Sequence, residues 1–249
     1  MQEKVFKEYL EKFKKIIFEA VERRRLDDQL VGFVKDVEKV SEISYRITGP
    51  VRIQEKTQFD MTIKHATPQR MHLRVHVEDW ANRPNEIDMG PTMSQLGVQF
   101  VAPFEKLAIV NGLLSEVGRE FTDGHTKERV MESINWIADN GHYPNRLLAN
   151  PLDRALLEKE GVIIPIWQRK GSRFYEMAQG GLDVYWIPQI QRGIAIIYEK
   201  EGVTLERTPL RICFDDMNQP KYLIVEQERL ASPFDEKAVV KMNFSAESS

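Results

Sequence analysis

Ala102-Pro103-Phe104-Glu105-Lys106-Leu107-Ala108-Ile109-Val110-Asn111-Gly112 is the most informative run in this 249-residue chain. Pro103 suits the first turn of a helix, where its missing N–H leaves no hydrogen bond unmade. Phe104, Leu107, Ala108, Val110, Leu114 and Val117 then recur at helical spacing as a stripe to be buried. These residues predict a helix over 103–118. A second follows from about Thr126 to Ala138, with Asp123 or Thr126 as cap and Gly141 as stop. A third, short one begins near Pro151, carries Leu152, Ala155, Leu156 and Leu157, and ends at Gly161.

Upstream, Val5, Phe6, Tyr9, Leu10, Phe13, Ile16, Ile17, Ala20 and Val21 mark an amphipathic helix. Its other face carries Lys4, Lys7, Lys12, Lys14 and Lys15, and Arg23-Arg24-Arg25 stand at its C-terminal end, where cations suit the helix dipole. That face is either a nucleic-acid or membrane-surface contact or a solvated surface diluted by Glu3, Glu8, Glu11, Glu19 and Glu22. From 43 to 78 the period becomes two. Ile43, Tyr45 and Ile47 alternate up to Gly49-Pro50. Phe59, Met61 and Ile63 then alternate, as do Met71, Leu73, Val75 and Val77 beyond a turn at 66–69, so these last two runs predict a long projecting hairpin. Trp80 to Pro91 reads as a loop.

Downstream, short strands are expected at 162–166, 184–187, 194–198, 203–205, 210–214, 222–226 and 238–242. Helices in the middle, a hairpin before them and many strands after them make an α+β protein. The segments expected are an N-terminal helix or arm (1–42), an extended loop with peripheral strands (43–95), a spine helix with adjoining helices (96–161), and apical strands with a closing peripheral strand (162–249).

The chain has 35 Lys and Arg against 38 Asp and Glu, a net charge of −3, which excludes an all-round basic coat. Its single cysteine, Cys213, excludes an internal disulfide and reads as a small buried hydrophobe. The charged N-terminus lacks a signal-peptide core, and no apolar run approaches the length of a membrane helix. No phosphate loop, dinucleotide fingerprint, nucleophile elbow or zinc-helix motif is present. His72 and His76 flank Arg74 and read as surface residues, as does His65. Asp215-Asp216 can hold a cation or support its own backbone in a turn, and the following Met217-Asn218-Gln219-Pro220 favours the turn. Tyr185, Trp186 and Trp136 read as core. Trp80 and Trp167 sit beside charges and are candidate interface anchors. No catalytic residue, cofactor or metal is expected.

The order of elements resembles the Hong Kong 97-type capsid fold, shared by tailed-virus major capsid proteins and encapsulin shells. Ala102-Pro103-Phe104-Glu105 leading to Ile109 and Asn111-Gly112 is similar to that family's spine helix, and the hairpin at about 51–79 to its extended loop. Val162-Ile163-Ile164-Pro165 resembles the strand entering the apical domain, and Phe234 with Ala238-Val239-Val240-Lys241-Met242 the closing strand. Gln29-Leu30 with Gly32 looks like encapsulins, whereas Gly180-Gly181-Leu182-Asp183-Val184-Tyr185-Trp186 matches their characteristic stretch in two glycines alone.

The resemblance implies a non-enzymatic major capsid protein, many copies of which build an icosahedral shell around a genome after assembly in a host cytoplasm. The alternative is an encapsulin nanocompartment in the cytoplasm, enclosing cargo proteins, and a more remote one an enzyme using Asp215, Asp216 and a histidine with a divalent cation. Met71, Leu73, Val75 and Val77 are then expected to cover a neighbouring subunit. Lys7, Lys12, Lys14 and Lys15 are expected to face the lumen and touch packaged nucleic acid non-specifically, with no membrane partner.

Overall fold

Helix α1 (Gln2–Glu22) forms where the apolar spacing places it, in a computed structural model that describes residues 2–41, 43–48, 60–84, 87–122, 126–170 and 173–244. Phe6, Leu10, Phe13, Ile17 and Val21 are buried along one side. A one-turn helix α2 (Asp27–Leu30) leads into strand β1 (Phe33–Asp36). Strands β2 (Ile43–Thr48) and β3 (Asp60–His65) pair antiparallel as a separate two-stranded ribbon, with Tyr45 opposite Ile63.

The next strand, β4 (Gln69–His76), corrects the expected hairpin. It does not pair with β3; residues 66–68 redirect the chain, and β4 joins a larger sheet instead. Period two reports which face of a strand is apolar but says nothing of its neighbour. The expected loop also holds structure: α3 (Glu78–Asn82) and α4 (Gly90–Leu96).

A π-helical segment, Gly97–Val101, joins α4 to α5 (Ala102–Ser115), so the spine starts well before Pro103. The Ala102 N–H reaches the Gly97 carbonyl, and this widened turn lets the helix run on into a proline that offers no N–H. The buried residues of α5 are Ala102, Glu105, Ala108, Ile109, Val110, Gly112 and Leu113; Ala108 and Val110 belong to the expected stripe, Phe104 and Leu114 of that stripe are partly buried, and Leu107 is exposed. The buried face extends beyond that stripe for two reasons: buried Glu105 pairs with arginines, and Gly112 permits close approach. A Cβ at Gly112 would stand 2.2 Å from the Ala231 carbonyl oxygen. At Gly97 it would meet Ala20 Cβ at 2.9 Å, so α1 also crosses the spine at a glycine.

Beyond the spine come β5 (Arg119–Thr122), α6 (Thr126–Asp139), β6 (Arg146–Ala149), α7 (Arg154–Lys159), β7 (Ile163–Lys170), β8 (Arg173–Ala178), β9 (Asp183–Trp186) and β10 (Ile194–Tyr198). β11 (Val203–Arg207), β12 (Arg211–Phe214), β13 (Tyr222–Pro233) and β14 (Val239–Asn243) follow. The strands β1, β5, β6 and β8 are absent from the sequence reading because each is short or lacks clean alternation. Gly141 and Gly161, at φ +88° and +67°, end α6 and α7 as expected.

Two sheets result. In the first, β13 pairs along one edge with β12 and then β11, and along the other with β4, while β1 joins β11 in parallel. The second runs β5-β14-β10-β6-β9-β8-β7. One core lies between α1, α4 and the first sheet, another between α6, α7 and the second. A third joins α2 and α5 to strands of both sheets. The α+β class expected from sequence is the class observed.

Candidate assembly surfaces

Surfaces rather than a pocket carry the candidate residues, beginning with α1. Lys7, Lys12 and Lys15 are exposed; Lys14 is partly covered and bonds Glu11 at 2.7 Å. Arg23 and Arg24 are exposed too. Lys106 on the spine stands beside Arg24, and burial together with that charge holds its amine below the usual lysine range.

Arg25 departs from the expected cationic face and turns inward. Its Nη2 and Nε grip Glu105 at 2.8 and 3.2 Å. Burial would lower its pKa, but the bonds and charge of Glu105, with Glu22 and Asp27, outweigh that and raise it. Asp27 accepts from Arg207 Nη1 at 2.6 Å and from Arg229, and Arg207 Nε also reaches Asp36 at 2.7 Å. Arg229 has no exposed surface, and Asp27 and Glu105 are almost fully buried. The cluster ties the chain after α1, the spine, β1, β11 and β13 at one point. Nearby, the Tyr198 hydroxyl donates to the Leu30 carbonyl at 2.7 Å and Arg146 to the Gln29 carbonyl at 2.8 Å, so α2 is pinned by two adjacent strands of the second sheet, β10 and β6. No sequence motif marks this cluster, because its members are up to 202 positions apart.

The four residues expected to cover a neighbour serve this chain's own core. Met71 and Val77 are buried, and Leu73 and Val75 pack partly buried against the same cluster. Their burial corrects the intersubunit expectation: β13 supplies the pairing strand, and α1 lies over the same core. The opposite face of β4 is wet and charged. Arg70 meets Glu228 at 2.9 Å, His72 meets Glu226 at 2.8 Å, and Arg74 lies 4.2 Å over the Tyr222 ring. His72 and His76 are exposed, in line with the surface reading. His65 side-chain surroundings, Trp167 and the candidate cap Asp123 lie outside the described residues or side chains.

Trp80 is core rather than an interface anchor. It is 2% exposed, with the rings of Phe13, Tyr9, Phe214 and Phe6 at 5.0 to 5.9 Å. Trp136 and Trp186 are half-buried against the second core, and Tyr185 is buried in the third. Asp215 accepts the Lys221 and Tyr222 amides at 3.0 and 2.9 Å, and Asp216 the Asn218 amide at 2.8 Å, which is the turn expected. Cys213 is half-buried, less covered than expected. Exposed apolar groups of the spine are Phe100 and Leu107, two turns apart on one side. No group of three metal-ligating side chains is found among the described residues. No described helix is long and apolar enough to cross a membrane.

No family model and no curated protein matches this sequence. Solved structures do match. A virus-like particle from Pyrococcus furiosus is similar at a TM-score of 0.65 and 12% identity, over 95% of this chain and all of that one. The holo-SrpI encapsulin complex from Synechococcus elongatus gives 0.61 and 13%, over 87% and 85% of the two chains. The capsid of cyanophage P-SCSP1u gives 0.57 and 8%, over 88% of each. These neighbours are shell proteins, and the likeness of fold spans most of each chain: the chain has the Hong Kong 97-type capsid fold.

Proposed function

We propose that this protein is a shell-forming subunit, many copies of which close into an icosahedral particle, and that the particle is a virus capsid around a genome. The observation that carries the shell reading is likeness of fold over 95% of this chain to a virus-like particle subunit. Closed shells need heterologous contacts that return on themselves. The β2–β3 ribbon, which among the described residues pairs with neither larger sheet, suits such a contact by reaching over a neighbour. Lys7, Lys12, Lys14 and Lys15, continued by Arg23 and Arg24, form the face offered to nucleic acid in the lumen.

The second reading, an encapsulin enclosing cargo protein, is favoured by the likeness to the SrpI encapsulin. Purified particles separate these readings. A shell elutes in the megadalton range, and a monomer or small oligomer overturns the proposal. A genome-binding lumen gives a high 260/280 nm absorbance ratio that falls with salt. The ratio also falls when Lys7, Lys12, Lys14 and Lys15 are replaced by Gln, with particle size unchanged. A low ratio in the wild type, with a co-purifying protein inside, establishes the encapsulin reading instead.

A further inference from the structure

His142 stands in the connection from α6 to β6 with a carboxylate at each ring nitrogen. Nδ1 lies 2.8 Å from Glu199 Oε2, and Nε2 lies 3.2 Å from Asp235 Oδ2. A neutral imidazole has one N–H, and a carboxylate only accepts, so both contacts are hydrogen bonds only when the ring is doubly protonated. The ring is about one-fifth exposed, so it exchanges protons with solvent while its two bonds stay sheltered.

The position of the two carboxylates gives this contact its meaning. Glu199 belongs to the crossing from β10 to β11, and Asp235 to the crossing from β13 to β14. Each crossing leaves one sheet and enters the other. They run side by side: the Phe234 amide donates to the Gly202 carbonyl at 2.8 Å, and the Glu199 amide to the Ala238 carbonyl at 3.1 Å. His142 bridges both from a third element.

We propose that His142 is a protonation-dependent clasp on the two-strand hinge between the sheets. As the imidazolium it holds both crossings. When it loses a proton, one nitrogen turns its lone pair toward a carboxylate oxygen, and a charge-assisted bond becomes a repulsive contact. The same connections bring Asp139 from α6, Lys200 and Glu201 from one crossing, and Glu236 and Lys237 from the other. Glu201 is occupied by the Asn145 amide at 2.6 Å. Burial would raise its carboxyl, but that bond, its own backbone and the charges of Arg146 and Lys200 hold it below the usual range. It therefore stays anionic where histidine titrates. The shell reading enters only in the consequence, that the angle between the sheets, and so the curvature a subunit accepts, responds to pH.

The test is hydrogen exchange of the full-length protein across about pH 5.5 to about pH 8, corrected for intrinsic rates, in peptides covering 196–204 and 232–240. Wild type is expected to lose protection there by roughly tenfold as pH rises, the loss of one charge-assisted bond. His142→Gln is expected to show no pH dependence, and His72→Gln, on the exposed face of β4, to keep it. A wild-type hinge without pH dependence, or the same dependence in His142→Gln, overturns the clasp. Should His142→Gln fail to fold, the exchange of the wild-type His142 ring C–H gives its titration directly. The hinge must then open at that midpoint, and a different midpoint overturns the clasp. The readout lies within one chain, so a failure to form particles leaves it intact.

Discussion

Arg229 is fully buried, and two of its nitrogens, Nε and Nη1, have no hydrogen-bond partner. Its charge is held by Asp27, with Glu105 Oε2 at 3.8 Å from Nη1. A buried ion pair contributes little net stability against an apolar replacement, but breaking one side leaves an uncompensated charge. Arg229→Ala is accordingly expected to cost about 3–5 kcal/mol in urea unfolding, because Asp27 then relies on Arg207 and Arg25. Arg229→Met with Asp27→Leu removes both charges and is expected to recover part of that loss. If Arg229→Ala proves as stable as the wild type, the cluster does not lock the chain after α1. From the sequence, Arg25 is one of three consecutive cations and indistinguishable from Arg23 and Arg24. Its inward turn depends on Glu105, 80 positions away.

At the scale of elements, α1 shows how local pattern and distant cover divide the work. The apolar stripe identifies the helix and its buried side, and the wet lysines follow by geometry. What the stripe packs on is nonlocal: Trp80, Phe214 and the inward face of β4. Phe13 stands at the centre of that contact, with Trp80 at 5.0 Å. Phe13→Ala is expected to destabilise the subunit by about 3–5 kcal/mol and to expose 2–22 to limited proteolysis before the rest unfolds. Cleavage elsewhere at the same protease concentration would show that α1 is not the element released. The expected hairpin failed at this scale for a related reason. Alternation in 59–63 and 71–77 is equally compatible with pairing to each other or to third strands, and only β2 and β13 supply matching registers.

Over the whole molecule, several carboxylates are held below their usual range, in both sheets. An Arg207 hydrogen bond lowers Asp36, and bonds from Lys241 and Asn243 lower Glu120. For Glu206 and Asp215 burial acts upward but is outweighed, by the Ser41 amide and Lys35 in one case and by turn amides from Tyr222, Lys221 and Asp216 in the other. Because the folded pKa values are depressed, their stabilisation is present above the unfolded carboxyl values near about pH 4 and disappears as pH falls through the folded ones. The urea midpoint is expected to fall as pH drops below about pH 4, through the range in which these carboxylates are protonated. A combined Asp36→Asn, Glu206→Gln, Asp215→Asn variant is expected to fall less over the same interval. Equal acid sensitivity in the variant would place the responsible carboxylates elsewhere.

By itself the sequence determined the α+β class, four of the helices, two of them with their glycine stop signals, most of the strands after residue 160 and the Asp215 turn. All of these rest on interactions within about a dozen positions: periodicity, capping, backbone conformations that glycine allows, and side chains bonding their own turn. The tertiary structure alone decided that β4 pairs with β13 and that Met71, Leu73, Val75 and Val77 serve the subunit's own core. It also decided that Trp80 is enclosed and that Glu105 turns inward on the spine. Those outcomes depend on partners far along the chain, and a periodic pattern states that a face must be covered without stating by what.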